Sequence, residues 1–139
     1  MSGAPALVVD GADPTPPYEQ LRRQLADLIG GGVLGPGTRL PPLRQLAADL
    51  GLAVGTVARS YRELELAGLV VSRRGGGTKV AAAAARRPAS EIAQSVEQAA
   101  HALVRSARLL GAHDDAVRAA VERALTSGHP ARATSQRAL

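Results

Sequence analysis

Apolar residues recur every three or four positions in five stretches of the chain, with glycine-rich breaks between them. Over TPPYEQLRRQLADLIGGG, Tyr18, Leu21, Leu25, Leu28 and Ile29 share one helical face. Thr15 is placed to cap this first helix, Pro16 suits its first position, and Gly30 to Gly32 stop it. Gly35-Pro36-Gly37 then reads as a tight turn. Leu43, Leu46, Ala47 and Leu50 predict a second helix over 42–50, ended by Gly51. Val57, Tyr61 and Leu64 predict a third over 54–67, ended by Gly68. This third helix opens with Val54, Gly55 and Thr56, residues that form helices poorly. The pattern then changes: in LVVSRRGGGTKV, β-branched residues flank Gly75-Gly76-Gly77, which predicts a hairpin. A lone hairpin is marginal, so this one must lean on the helices.

Beyond the hairpin, Ile92, Val96, Ala99, Leu103, Ala107 and Leu110 step along a long helix that Ser90 is placed to cap and Gly111 ends. Asp114 or His113 opens a last helix with Val117, Ala120, Val121, Ala124 and Leu125 on one face, closed by Gly128-His129-Pro130. The predicted fold class is mainly α with a small β-hairpin. Residues 1–14 read as a flexible tail and 15–80 as a winged helix-turn-helix domain. The alanine-rich stretch 81–89 reads as a linker, 90–127 as a two-helix C-terminal segment and 128–139 as a second flexible tail.

Composition narrows the picture in two ways. The chain of 139 residues is 45% hydrophobic yet has no Phe, no Trp and only two Tyr, so its cores are aliphatic and small. Chains of this size often gain stability by oligomerising. The net charge is +5, and Lys79 is the only lysine beside the arginines. A basic surface attracts phosphate or anionic lipid. A GC-rich genome would also favour arginine over lysine. The chain has no Cys, which fits a reducing compartment. It has no apolar run near the ~20 residues of a spanning helix, and its N-terminus lacks the basic start of a secretion signal. These features predict a cytoplasmic protein with no membrane partner.

Two short helices across a glycine turn meet the geometry of a helix-turn-helix, whose second helix faces base edges with its first turns. The exposed face of that helix is predicted to carry Gly55, Thr56, Ala58, Arg59 and Arg62, with Val57 and Tyr61 inward. Gly55 and Thr56 allow close approach of backbone to DNA, and the helix N-terminus favours phosphate. Arg59 is suited to a bidentate guanine contact, and Arg62, further along, to a phosphate. Arg73 and Arg74 stand before three glycines at the hairpin tip, where a wing would meet a backbone or a narrow groove. Helical hairpins with a glycine turn also occur in proteins that never meet DNA, and an Arg-Arg-Gly tip is also the sequence of a solvated turn.

From Tyr18 to Val80 the residues follow, without a gap, the pattern GxLxPGTRLPxxRxLAxxLGxxxxTVxRxYxELExxGLVxxRxGxGT from Gly32 to Thr78. This stretch resembles the winged-helix domain of GntR-family bacterial transcription regulators. TVARSYRELE and the short helical tail are most similar to the YtrA subfamily, in which two C-terminal helices for dimerisation replace a large effector domain. The resemblance implies a homodimeric, operator-specific repressor. By position it implies DNA contacts from Arg44, Thr56, Arg59, Gly75, Gly76, Gly77 and Thr78. The chain departs from the family at Pro42-Leu43, where Ser-Glu is usual, although Gln45 is placed to act at the third helical position. It departs again at Ala53, Val54 and Gly55, where many relatives are polar, and at Ala58, where other subfamilies carry Arg. The base-reading set is therefore thin.

Ile92, Val96, Leu103, Leu110, Val117, Val121 and Leu125 form apolar stripes on helices too small for a core of their own. Pairing with a second copy is the common solution. Folding back on the first domain as a monomer is the alternative, and large aromatic anchors for a lipid surface are missing. His101, His113 and His129 lie on separate segments without ligand spacing, and Asp114 and Asp115 suit a helix start. No metal and no cofactor are expected, and neither a nucleophile–base–acid set nor a phosphate loop is found. The function expected is a sequence-specific DNA-binding repressor on a near-palindromic operator, and not an enzyme. A small-molecule effector near the dimer interface is compatible with this, but no residue identifies it. The rival readings are a winged-helix protein-interaction module and a nonspecific nucleoid-type binder.

Overall fold

The structure, a computed structural model, describes residues 7–127. The expected tail 128–139 and the first six residues lie outside the described residues. The elements are α1 (Pro17–Gly30), α2 (Leu43–Leu50), α3 (Val54–Leu66), β1 (Val70–Arg73), β2 (Gly77–Val80), α4 (Ala89–Leu109) and α5 (Asp114–Ser127). They divide into two compact units, one spanning Leu7–Arg87 and the other beginning at Pro88.

In the first unit, three helices enclose one aliphatic core. Leu21, Leu25 and Ile29 of α1, Leu46 and Ala47 of α2, and Val57, Tyr61 and Leu64 of α3 are buried together. α2 and α3 form the helix-turn-helix. Gly51 makes the turn between them in the left-handed region at φ 68°, where a Cβ would be strained. β1 and β2 pair antiparallel, with Val70 opposite Val80 and Arg73 opposite Gly77. Val70 and Val80 point into the core, so the hairpin does lean on the helices. The segment before α2 borders the other edge of β2: Leu40 N–H donates to Thr78 O at 2.8 Å, and Val80 N–H to Thr38 O at 2.8 Å. The arrangement is a winged helix.

Helix starts differ from the sequence expectation. Thr15 does not cap α1. Pro16 is the N-cap, without a side-chain cap hydrogen bond, and Pro17 is the first helical residue. Pro42 likewise precedes α2, and Gln45 makes no cap bond. Pro88, not Ser90, precedes α4. Each of these prolines has φ near −57° and ψ near 145°, which sends the chain from extended to helical in one residue.

Two segments expected to be loose are fastened. Residues 7–14 run beside α1, where Val8 exchanges hydrogen bonds with the Gln24 amide at 3.0 and 2.7 Å. The buried Gln20 amide accepts from Asp10 N–H at 2.8 Å and donates to the carbonyls of Asp10 and Thr15. Of the expected linker 81–89, residues up to Arg87 pack on the first unit. Ala81 N–H donates to Leu69 O at 2.9 Å, and Arg87 N–H to Gly30 O at 2.7 Å. The Arg87 guanidinium also pairs with Asp27 at 3.0 Å. Alanine-rich composition suggested a hinge, but the backbone bonds that decide the matter leave no trace in composition.

In the second unit Ala107 is the one buried residue among those described, and Val104 and Val117 are half-buried. α4 ends one residue before Leu110, which stands exposed beside Gly111. His113 O accepts the first amide bonds of α5.

Candidate nucleic-acid interface

Like α1 and α2, α3 begins without a side-chain cap. Ala53, its N-cap, is extended and has no side-chain oxygen to offer the first turn. A bare helix N-terminus presents its amides and the positive end of its dipole outward. On the side of α3 away from the core, Gly55, Arg59 and Arg62 are exposed. Thr56 and Ala58, expected there as well, are half-buried at the flanks. Val57, Ser60 and Tyr61 face inward and hold the helix in place. The Tyr61 hydroxyl donates to Pro41 O at 2.7 Å, tying α3 to the entrance of α2. Burial pushes the Tyr61 phenol well above its ordinary pKa. The Ser60 hydroxyl donates to Tyr18 O at 2.7 Å, tying α3 to the first turn of α1. Arg44, second residue of α2, is exposed.

Arg59 is not a free side chain. Its guanidinium carbon lies 3.7 Å from the centroid of the Tyr18 ring. Its Nε faces Glu63 Oε2 at 3.8 Å, one turn further along α3.

The hairpin forms a second basic surface. Arg73 and Arg74 are exposed at the turn, and Gly75 and Gly77 take φ of 77° and 71°. The turn thus has a practical need for glycine at these two positions. Thr78 sits across the hairpin from Ser72, their hydroxyls 3.0 Å apart. A cavity of about 330 Å³ lies along this face, lined in part by Gly37, Arg73, Gly77 and Lys79. Arg39 lies against Gly77, where an added Cβ would come within 3.0 Å of its guanidinium. Arg39 and Lys79 were not among the expected DNA-contacting residues. Leu40 is buried, and in the extended segment beside β2 its neighbour Arg39 turns outward.

No cluster of three or more metal-ligating side chains occurs among the described residues. His129 lies outside them. No described helix is long and apolar enough to cross a membrane.

The family model described as bacterial regulatory proteins, gntR family, matches residues 17–80. Residues 17–80 form a GntR-family domain. Its limits coincide with the first residue of α1 and the last of β2. The chain is 51% identical over 72 residues to HTH-type transcriptional regulator Rv1152 of Mycobacterium tuberculosis, covering 52% of this chain and 60% of that one. It is 37% identical over 74 residues to HTH-type transcriptional repressor YtrA of Bacillus subtilis, covering 53% and 57%. The chain thus spans about six tenths of the length of these curated relatives. Among solved structures, the AraR DNA-binding domain in complex with operator ORX1 is 29% identical with a TM-score of 0.50. That match covers 54% of this chain and 96% of the other. The GntR-family domain therefore places Gly55, Arg59 and Arg62 on one helix face and Arg73 to Thr78 on the wing, with Arg44 on the neighbouring helix.

Proposed function

We propose that the protein is a DNA-binding transcription regulator, acting as a homodimeric repressor on a near-palindromic operator. The observation that carries this reading is the exposed face of α3, with Gly55, Arg59 and Arg62, in one domain with the exposed Arg73 and Arg74 of the wing. In each protomer α3 lies in the major groove, its first turn against the backbone and Arg59 at a base edge. The wing, with Arg73, Arg74 and the glycines, meets the adjacent minor groove, and Arg44 binds the flank. The names of the relatives, and the operator bound by the AraR domain, favour DNA as the partner. Dimerisation is favoured by the second unit, where Val96, Leu103, Val121 and Leu125 are 64%, 44%, 38% and 63% exposed. A second copy covers such a face and sets two recognition helices about one duplex turn apart.

The test is selection of duplexes from a random library by the purified protein, followed by titration on the selected duplex and a scrambled one. A single enriched near-palindrome, bound at least 10³-fold above scrambled DNA, is expected. Arg59→Ala should cost about 1–3 kcal/mol on the selected duplex and relax one base pair of the consensus. Enrichment of no sequence, with a steep salt dependence, would make the protein a nonspecific binder; no DNA binding at all would leave a protein-interaction module.

A further inference from the structure

Arg59 and Arg62 stand one turn apart on the same exposed face, yet their surroundings differ. Arg62 has no ion pair or aromatic partner among the described residues. Arg59 has both. Tyr18 supplies a ring face to the guanidinium at 3.7 Å, and Glu63 a carboxylate at 3.8 Å. The main chain that carries this ring is anchored, because the Tyr18 carbonyl accepts the buried Ser60 hydroxyl at 2.7 Å. Glu63 Oε2 is buried and has no hydrogen-bond partner, which holds the adjacent cation near it. The Glu63 charge also acts on Arg22 of α1. Glu19 hydrogen bonds raise that guanidinium's pKa most, and Glu63 adds its charge.

We infer that Tyr18 and Glu63 are specificity-determining positioning residues, which hold the Arg59 guanidinium in one orientation on the recognition face. The inference rests on the proposed reading that Arg59 meets a base edge. A free arginine loses the freedom of several rotors when it binds, and a stacked one has already lost much of it. The two partners fix different coordinates. The ring sets the plane of the guanidinium, and the ion pair of Nε with Glu63 at 3.8 Å biases its rotation within that plane. Neither uses the terminal nitrogens, which make no hydrogen bond among the described residues. That pair forms the fork that fits guanine O6 and N7. The carboxylate has a second effect. It repels phosphate, so an Arg59 that swings toward the backbone has to leave the half-buried Glu63 carboxylate. Both effects favour the base over the backbone, and α1 thereby takes part in sequence reading without touching DNA.

The test uses the full chain, the duplex it selects from a random library, and a scrambled duplex of the same composition. Tyr18→Leu keeps apolar bulk and the backbone carbonyl but removes the ring face. It should lower the ratio of selected to scrambled affinity about three- to tenfold, mostly through faster dissociation from the selected duplex. Tyr18→Phe keeps the ring and should restore the ratio. Glu63→Gln should lower the ratio from the other side, by tightening binding to scrambled DNA. A Tyr18→Leu protein with the wild-type ratio, or with equal losses on both duplexes, overturns the inference. So does a Tyr18→Phe protein as impaired as Tyr18→Leu. Arg59→Ala separates the two levels. If it leaves the ratio unchanged, the base-reading role of Arg59 fails and the inference falls with it. If it lowers the ratio while Tyr18→Leu does not, only the positioning role fails.

Discussion

Tyr61 illustrates how a single side chain supports the proposed DNA interface from inside the core. It is 5% exposed, and its hydroxyl reaches Pro41 O just before α2. Tyr61→Phe keeps the packing and should cost about 0.5–1.5 kcal/mol at neutral pH, measured by urea denaturation. The pH dependence has a definite sign. Burial raises the folded pKa above the unfolded value of about 10. The stabilisation is complete below that value and is lost as pH rises toward the folded pKa, because the unfolded chain releases its proton first. The wild-type protein should therefore lose stability above pH ~10 more steeply than Tyr61→Phe. Equal alkaline slopes would show that the phenol is solvated in the native state. The apolar role of Tyr61 was legible from its spacing with Val57 and Leu64. Its partner was not, because Pro41 lies twenty residues away on another element.

At the scale of elements, the positions of α2 and α3 could be read to within a residue from periodicity and from Gly51 and Gly68, but the helix caps could not. Thr15 and Ser90 match the residue types that cap helices, yet Pro16 and Pro88 take those positions. Proline already has the φ that a helix entrance needs. The strap 81–87 shows a similar limit. Its last two arginines lie over the glycines that end α1. An added Cβ at Gly30 would come within 3.2 Å of Arg87, and one at Gly32 within 2.5 Å of Arg86. Gly32 is also left-handed, at φ 78°. Gly32→Ala should therefore destabilise the protein by about 1–2 kcal/mol, since any L side chain is strained there. Thermal denaturation checks this, and an unchanged melting temperature would show that the α1 terminus relaxes freely.

At the scale of the molecule, two units meet opposite requirements. The first encloses a core; the second leaves most of its large apolar side chains wet when taken as one chain. Val96 and Leu103 lie two helical turns apart on one face of α4. Replacing both by Glu should leave the first unit folded, because neither residue belongs to its core. Where the proposed homodimer pairs through this face, sedimentation should show a dimer for the wild-type chain and a monomer for the double variant. Affinity for a duplex with two half-sites should fall about 10²-fold or more, because the second head is no longer tethered. A Val96→Glu/Leu103→Glu protein that remains dimeric would move the interface to another face.

Features that depend on local pattern were legible in the chain alone. Periodicity places five helices, β-branched residues around glycines place the hairpin, and the spacing from Gly32 to Thr78 marks a GntR-family domain. These follow from backbone geometry and from which side chains must leave water. Contacts between residues far apart in the chain came only with the packing of the elements. That packing set Tyr18 under Arg59 and brought Arg39 to the wing. It also fastened 7–14 and 81–87 to α1. Exposed arginines look alike in a sequence. What separates Arg59 from Arg62 is an aromatic ring forty-one residues earlier, brought alongside only when α1 packs on α3.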